Sequence, residues 1–354
     1  MDHDTKASNP RTETIDLRSD TVTLPTAQMY EAIAVARLGD DGLDGDPTAQ
    51  ELEAGMAGML GKEAGVYFPS CTMANLATIL VQAGRQDIVL AQEDSHIYGA
   101  ERGGAALTGA FYHPIRGENG AMDLGLLSDA LASKRSKLRT ALVCLENSHN
   151  SAGGTVLPVQ YMKDVAALAR EAGAAVHLDG ARVFNAAVHL GVPVSALAAH
   201  TDTVAVCLSK GLGAPMGAVL VCPQALAGSI RNMRRALGGG QRQVGIAAAA
   251  GLVAIRTMVA RLADDHATAA RLSTQLRELA PALRVSVPQT NIVMVDTSAT
   301  GRSAQQWVSQ LGQGGVLVRP WSEHVLRCVT HRHIGQADVD RAAQVFAAQA
   351  GQGR

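Results

Sequence analysis

Short runs of apolar and β-branched residues alternate with helical patterns along most of the chain. Helical patterns cover 72–82 and 162–171, and the second has apolar residues at Val165, Leu168 and Ala169. Few polar residues interrupt the runs between them. The sequence therefore predicts buried strands in a mostly parallel sheet that helices cover on both faces. These strands are expected at 66–68, 88–90, 140–145, 175–178, 203–208 and 218–221.

The pattern changes after an alanine-rich stretch at 245–262, which predicts a long buried helix leading away from this sheet. Further helices are predicted at 268–279, 304–311 and 338–349, and strands at 285–287, 292–295, 316–318 and 326–329. A length of 354 residues is typical of about two domains. We therefore expect an α/β protein with a flexible tail over 1–13, a large domain over 14–250 and a smaller α/β domain over 251–354.

Composition and charge exclude several classes of partner. The 31 Lys and Arg residues nearly balance the 32 Asp and Glu residues, and aromatics make up only 3% of the chain, which argues against nucleic-acid binding. The longest apolar stretch stops at Arg256, well short of the about 20 residues that a membrane-spanning helix needs. The first residues lack the apolar core of a signal peptide. An odd number of cysteines without a CxxC pair indicates neither a disulfide framework nor structural zinc. These features favour a cytoplasmic protein.

Charged residues follow two of the predicted strands, where sheets of this kind bind their ligands. Lys210 comes just after 203–208, and its partial desolvation would lower its pKa and make it a nucleophilic amine. Asp179 and Arg182 follow 175–178. Each feature alone is compatible with a structural ion pair. Together, a strand-end lysine and a strand-end carboxylate match the needs of pyridoxal phosphate (PLP), namely a Schiff-base amine and a partner for the pyridine nitrogen.

Three further polar features lie near predicted strand ends. Thr72 opens a helix whose first N–H groups could bind a phosphate, although the same pattern also describes an ordinary N-cap. His96 could stack on a cofactor ring or accept a proton, and a lone histidine is also compatible with a structural role. The loop at 146–150 is consistent with a site wall, and its individual roles cannot be read from the sequence.

The order of these motifs resembles the threonine aldolase family, PLP-dependent lyases of fold type I, the aspartate-aminotransferase fold, within the beta-eliminating lyases. The resemblance runs from about Ile15 to the C-terminus. It rests on the motifs DLRSDTVT (16–23), GDD (39–41), DPT (46–48), DSH (94–96), ENSHN (146–150), HLDGAR (177–182), LSKGLG (208–213), GGGQRQ (238–243) and VTH (329–331).

The resemblance implies roles for four residues around the cofactor ring. Lys210 would bind the cofactor covalently, and Asp179 would bond the pyridinium nitrogen. Arg182 would contact the side of the phenolic oxygen and the substrate. His96 would stack on the ring, and we hypothesise that it also acts as the catalytic base.

The resemblance also implies phosphate and carboxylate ligands. Thr72 and the backbone around Cys71 would hold the phosphate, together with Arg242 donated by a neighbouring subunit. Ser19 and Arg327 would hold the substrate carboxylate, Arg327 through its planar pair of donors. No metal is implied. The family forms homodimers or homotetramers with shared sites.

Four departures from the family pattern are visible in the sequence. Cys71 replaces a usual glycine, Leu43-Asp44 replaces a usual Tyr-Gly, and Ala100 replaces a frequent aromatic residue. Ser136 falls near the position of a second histidine in many members. These departures bear on substrate fit and on the identity of the base.

The implied reaction is retro-aldol cleavage of a β-hydroxy-α-amino acid to glycine and an aldehyde. The expected substrates are L-threonine, L-allo-threonine and related amino acids such as phenylserine. Another fold type I PLP lyase, racemase or transaldolase would share Lys210, Asp179 and Arg182. A homologue that binds PLP without catalysis is disfavoured because Lys210, Asp179 and Arg327 are all present.

Overall fold

The computed structural model describes residues 14–101, 103–133 and 138–351. By their internal contacts the described residues form two compact units, a larger one within Thr23–Ala263 and a smaller one that combines those of Asp264–Arg354 with those of Met1–Val22. Residues 14–22 thus group with the smaller unit, and 251–263 with the larger, whereas the sequence pattern placed the boundary near 250. The predicted tail over 1–13 and the position of Ser136 lie outside the described residues.

The strands are, in chain order, β1 (Ile15–Asp16), β2 (Ala64–Phe68), β3 (Ile88–Gln92), β4 (Phe111–Ile115), β5 (Gly117–Glu118), β6 (Ala121–Met122), β7 (Thr140–Glu146), β8 (Ala175–Asp179), β9 (Thr203–Cys207), β10 (Ala218–Cys222), β11 (Arg284–Val285), β12 (Ile292–Asp296), β13 (Val316–Leu317), β14 (Arg319–Pro320) and β15 (Val325–Val329).

The α-helices are α1 (Ala27–Ala34), α2 (Pro47–Leu60), α3 (Cys71–Gln82), α4 (Gly103–Thr108), α5 (Leu124–Ala132), α6 (Val159–Glu171), α7 (Val183–Leu190), α8 (Val194–Ala198), α9 (Gln224–Ala236), α10 (Gly245–Val253), α11 (Leu262–Leu279), α12 (Ala304–Gln313) and α13 (Gln336–Gly351). Single turns of π-helix lie at His96–Ala100 and Ala254–Met258, and 3₁₀ turns at Asp20–Val22 and Ser298–Thr300.

The larger unit is built on a seven-stranded sheet with the order β2-β10-β9-β8-β7-β3-β4. Strand β10 runs antiparallel to both of its neighbours, and the other strand pairs are parallel. All residues of β7, β9 and β10 are buried, as expected for central strands covered on both faces. The carboxyl ends of β7, β8 and β9 therefore lie side by side.

Local signals explain where the helices of this unit begin and end. Helix α2 starts at Pro47, whose fixed φ suits the first helical position, and the side chain of Asp46 accepts a hydrogen bond from the N–H of Ala49 at 2.9 Å. It ends at Gly61, which has a φ of 66°, a conformation that glycine adopts readily. Ser70 caps α3 in the same way by accepting from the N–H of Met73 at 3.2 Å.

The smaller unit has a four-stranded antiparallel sheet with the order β11-β12-β15-β14. Strand β1 pairs in parallel with β13, and Leu17 is fully buried in the same core. Trp307 and Phe346 stack in that core with ring centroids 6.1 Å apart. This pairing is the physical reason that residues 14–22 group with the C-terminal part of the chain.

Two of the differences from the sequence-based elements have a visible local cause. The helix predicted over 245–262 is α10 followed by the π-helical turn at Ala254–Met258, and α11 begins only at Leu262. Strand β4 was not predicted. It is one of the two edge strands of the sheet, it contains Pro114 and it exposes alternate residues, so its pattern lacks the long apolar run of the central strands.

Among the described residues, no single helix is both long and apolar enough to cross a membrane. Only the bent pair of Gly245–Met258 and Leu262–Leu279 meets that length and composition, and only when the two helices are taken together.

Candidate active site

The candidate site of the larger unit lies at the carboxyl ends of three adjacent strands. Glu146 at the end of β7 is in register with Asp179 at the end of β8, and Asp179 is in register with Ala205 of β9. Lys210 follows β9 in a tight turn, whose hydrogen bond joins the N–H of Gly213 to the Lys210 carbonyl at 2.9 Å. The hydroxyl of Thr23 donates to the same carbonyl at 2.8 Å. The backbone that carries the lysine is thus held from two sides.

Asp179 is a buried carboxylate with defined partners on both oxygens. Its Oδ1 accepts from the N–H of Ala181 at 3.1 Å, and its Oδ2 accepts from Nδ2 of Asn75 at 3.0 Å. Gly180 follows it where a Cβ atom would lie 2.8 Å from the Val204 side chain, so only glycine fits between these strands. The carboxylate is therefore presented in one orientation.

Cys71 opens α3 beside this carboxylate. Its Sγ lies 4.0 Å from Oδ1 of Asp179, and burial, followed by the nearby Asp179 charge, raises the pKa of the thiol well above its usual value. Lys210 and Glu101 also act on this thiol, which brings their charges into the same neighbourhood. Thr72, the next residue, is exposed. The first N–H groups of α3 have no acceptor within the helix and so offer an anion site.

His96 forms a close pair with Glu101. Its Nδ1 lies 2.8 Å from Oε1 of Glu101, and this hydrogen bond is the largest cause that raises the pKa of His96 above its ordinary value. The histidine side chain remains 35% exposed, whereas that of Glu101 is only 9% exposed. The pair thus has a buried carboxylate behind an imidazole that solutes can reach.

The loop after β7 connects His96 with Arg182. One oxygen of Glu146 accepts from the N–H of His96 at 2.6 Å, and the other accepts from the N–H of Asn150 at 2.8 Å. The side chain of Asn150 in turn accepts from the guanidinium of the buried Arg182 at 3.3 Å. The loop at 146–150, whose individual roles could not be read from the sequence, therefore holds His96 and Arg182, two of the predicted site residues.

Three ligand-type atoms also have a spacing that could hold a metal ion. His96, Glu101 and Asp179 place one such atom each within 4.8 Å of the others. Hydrogen bonds from His96 and from Asn75 engage the two carboxylates, which accounts for the cluster without a cation.

The three remaining predicted ligands are Arg242 in the larger unit and Ser19 and Arg327 in the smaller unit. Arg242 is on the surface of the larger unit, with its side chain 73% exposed and 3.9 Å from Oδ1 of Asp40. In the smaller unit, Arg327 is buried and donates to the carbonyl of Arg18 at 3.3 Å, next to Ser19. Its guanidinium also lies over the ring of Trp321, 4.8 Å from the centroid. The structure thus brings Ser19 and Arg327 together within that unit.

Sequence reasoning assigned no role to several residues that hold the site. Glu101 follows His96 at the end of the same π-helical turn, so the spacing of an acid five residues after the histidine was a signal that could have been used. Asn75 lies one helical turn after Cys71 on the buried face of α3. His177 was noted only as part of a motif, and no local signal pointed to its contact with Asn75.

The donor set fits the cofactor that the sequence predicted. An amine, a fixed carboxylate and a helix N-terminus are the groups that could hold the aldehyde, the pyridine nitrogen and the phosphate of PLP. They would come from Lys210, Asp179 and the first turn of α3 respectively. The thiol of Cys71 is buried beside Asp179, and the neighbouring Thr72 is exposed.

Comparisons with known proteins identify the family to which this chain is similar. The model of the family described as "Beta-eliminating lyase" matches residues 16–300. A protein of Arabidopsis thaliana, the probable low-specificity L-threonine aldolase 2, is 42% identical over 94% of this chain and 96% of its own length.

Solved structures establish the fold. The threonine aldolase of Leishmania major aligns with a TM-score of 0.81 and 18% identity over 95% of this chain and 99% of its own. A structure of SPT with PLP aligns with a TM-score of 0.75 and 20% identity over 96% and 87% of the two chains. The expected fold type I architecture is thereby confirmed. From the family match and the identity over nearly the whole length, the chain belongs to the threonine aldolases of the beta-eliminating lyase family.

Proposed function

We propose that this protein is a PLP-dependent aldolase that cleaves L-threonine, L-allo-threonine and related β-hydroxy-α-amino acids, phenylserine among them, to glycine and an aldehyde. The observation that carries the proposal is the convergence of Lys210, Asp179 and the His96–Glu101 pair at one edge of the sheet. The names of the relatives support threonine as a substrate, and the SPT structure with PLP supports the cofactor.

Different residues of the larger unit would bind different parts of the cofactor. Lys210 would bind it covalently, and Asp179 would pair with its ring nitrogen. The first turn of α3, at Cys71 and Thr72, would hold its phosphate. Arg182, which Asn150 positions, would contact the ring oxygen and the substrate.

When bound, PLP would accept the electron pair that is released as the Cα–Cβ bond of the substrate breaks. The protein must then take a proton from the β-hydroxyl group, and we assign this task to His96. Because Nδ1 faces Glu101, the other ring nitrogen, Nε2, is the atom that can accept this proton. The Glu101 carboxylate stabilises the imidazolium that results. The β-carbon leaves as an aldehyde, and a proton returned to Cα yields glycine.

The substrate carboxylate needs a fixed partner, because its position decides which bond of Cα is held perpendicular to the cofactor ring. Arg327 and Ser19 supply that partner in our proposal. A buried guanidinium with a planar pair of donors matches a carboxylate better than a flexible ammonium does.

We also propose that the enzyme is a cytoplasmic homodimer or homotetramer whose subunits share their sites. Two features of the larger unit support this. Arg242, the proposed phosphate ligand, has a side chain that is 73% exposed and lies 3.9 Å from Oδ1 of Asp40. Several large apolar side chains are exposed on the same unit, as is common at subunit interfaces; they are Tyr30, Val35, Leu38, Leu43 and Ile246.

The test is a substrate panel on the purified PLP-loaded protein. L-threonine, L-allo-threonine and phenylserine should each release glycine together with the corresponding aldehyde, and Lys210→Ala should abolish the reaction. Release of ammonia together with a 2-oxo acid, inversion at Cα, or transfer of the aldehyde to a second amino acid, without net cleavage, would instead indicate another fold type I lyase, a racemase or a transaldolase.

A further inference from the structure

Asn75 is a fully buried amide that joins two carboxylates of the site. Its Nδ2 donates to Oδ2 of Asp179 at 3.0 Å and to Oε1 of Glu101 at 3.2 Å. An amide nitrogen carries two hydrogens, so both are used. Since both neighbours of this atom are carboxylate oxygens, which only accept, the atom must be the nitrogen and the other end of the amide must be the oxygen.

The orientation of this amide is fixed from behind by His177. Nε2 of His177 lies 3.0 Å from Oδ1 of Asn75, so it must carry a hydrogen. Full burial lowers the pKa of His177 to about 4, so at neutral pH the ring holds a single hydrogen and Nδ1 accepts. The hydroxyl of Thr203, 2.9 Å from Nδ1, therefore donates to it, and the same hydroxyl accepts from Nε2 of Gln82 at 3.2 Å.

Every hydrogen bond in this series, from Gln82 to Asp179, therefore has a defined donor and a defined acceptor. We propose that Asn75 is a positioning residue that holds the carboxylates of Asp179 and Glu101 in one arrangement, with the neutral His177 as its support. The inference rests on the proposed function, because it assigns the two carboxylates to the ring nitrogen of the cofactor and to the catalytic base.

The physical need for such a residue follows from the spacing of the carboxylates. Asp179 and Glu101 place oxygens within 4.8 Å of each other, where two negative charges repel. A lysine or arginine between them would offset that repulsion but would compete with the pyridinium ion and with His96 for the carboxylates. A neutral amide donates to both and does not titrate, so each carboxylate keeps its charge for its own partner.

Loss of the amide should have separate consequences at its two ends. Asp179 would lose a hydrogen bond that fixes its direction, so PLP should bind more weakly. Glu101 would lose a donor and would attract the proton of His96 more strongly. Glu101, Asp179 and Glu146 each raise the pKa of His96, and the Lys210 charge in the same neighbourhood is unchanged by the substitution. Because Glu101 would hold the proton of His96 more strongly without the Asn75 donor, the acid limb of the pH profile should move to higher pH.

The experiment compares Asn75→Ala with Asn232→Ala, a control at an exposed position of helix α9 in the same unit. Apo protein is titrated with PLP, and kcat/KM for threonine is followed against pH. We expect Asn75→Ala to weaken PLP binding at least tenfold, and to move the acid limb to higher pH, whereas Asn232→Ala should change neither. Equal PLP affinities and equal acid limbs in the two variants would overturn the inference.

Two variants of His177 test whether its hydrogen bond supports Asn75, and neither variant changes Asp179 or Glu101. His177→Phe removes the donor to Asn75 and should weaken PLP binding as Asn75→Ala does. His177→Gln offers an N–H for Asn75 and an oxygen for Thr203, so it should restore most of the affinity. PLP affinity that is the same in His177→Phe as in the unmodified protein would contradict the proposed support, and this comparison remains available if Asn75→Ala fails to fold.

The failure of the proposed function has a different signature. An unmodified protein that binds PLP but cleaves no β-hydroxy amino acid would overturn that function, whereas the PLP titrations of the variants would still decide the role of Asn75.

Discussion

Nδ1 of His96 donates to Oε1 of Glu101 over 2.8 Å, and this hydrogen bond determines which ring nitrogen is available to a substrate. A carboxylate on Nδ1 leaves Nε2 as the basic atom and stabilises the protonated ring. The same relationship raises the pKa of His96 above 6.5, the ordinary value of histidine. The pair therefore makes the proposed base stronger and also sensitive to pH in the neutral range.

The first prediction concerns that pH dependence. A base works only when it is unprotonated, so kcat/KM should fall as the pH drops through the raised pKa of His96. In Glu101→Gln the carboxylate charge is absent, so the pKa of His96 returns toward its ordinary value and the acid limb should move to lower pH. The measurement is kcat/KM for threonine between pH 5 and 9.

Glu118→Gln is the control for this variant, because Glu118 is an exposed acid in β5 of the same unit. Its profile should match that of the unmodified enzyme. An acid limb that stays in place in Glu101→Gln would show that His96 does not set it.

The second prediction separates binding of the cofactor from catalysis. His96→Asn should lower kcat about 10²- to 10⁴-fold because the proton acceptor is lost, while the visible absorbance band of bound PLP remains. His113→Asn, an exposed histidine of β4, should retain full activity. Turnover within a few-fold of normal in His96→Asn would refute the assignment of the base.

The third prediction tests the shared site. Lys210→Ala and Arg242→Ala should each be nearly inactive alone. When the two chains are unfolded together and refolded, or co-expressed, each mixed dimer should contain one site with an intact lysine and an intact arginine. Random pairing should then restore about a quarter of normal activity. Mixtures that stay as inactive as the separate variants would mean that Arg242 serves the site of its own chain.

The fourth prediction addresses the substrate carboxylate. Arg327→Lys keeps the charge but loses the planar pair of donors, so KM for threonine should rise about tenfold with a smaller change in kcat. Arg341→Lys, at an exposed position of α13, provides the comparison and should leave both constants unchanged. An unchanged KM in Arg327→Lys would remove this residue from the proposed site.

The fifth prediction links His177 to acid stability. Its pKa is about 4 in the folded protein and about 6.5 when the chain is unfolded, so the unfolded state binds the proton first as the pH falls. The stability that the neutral ring contributes is fully present above pH 6.5 and is lost progressively from there to pH 4. Between pH 7 and pH 5 this amounts to about 2 kcal/mol.

Denaturant unfolding at the two pH values gives the measurement. His177→Gln has no titrating ring, so its free energy of unfolding should decline less between pH 7 and pH 5 than that of the unmodified protein. Parallel declines would mean that His177 does not carry this part of the pH dependence.

The central sheet and the residues at its edge could be predicted because their signals are local. The apolar runs before Asp179 and Lys210 mark buried strands, and the ends of parallel strands meet at one edge, so the spacing alone placed this acid and this amine together. The antiparallel direction of β10 could not be predicted from the sequence, because a buried strand has the same composition in either direction.

The hydrogen bonds that join Asn75 to Asp179 and His177 could not be predicted from local signals. Asn75 and Asp179 are 104 positions apart, and Asn75 and His177 are 102 apart. On α3, Asn75 occupies a core-facing position where an amide has no sequence signature of its own. Its role depends on which polar atoms the packing of α3 against β8 and β9 brings within reach, and that is a tertiary property.

The pairing of β1 with β13 has a consequence for how the protein is made. A ribosome releases the chain from its N-terminus, so the whole larger unit, Thr23–Ala263, can emerge and fold before β13 is synthesised. Within residues 14–22, strand β1 remains without its partner until β13 has been synthesised. The segments around Ser19 and Arg327, which we propose bind the substrate carboxylate, are thus expected to form last, after the larger unit has folded.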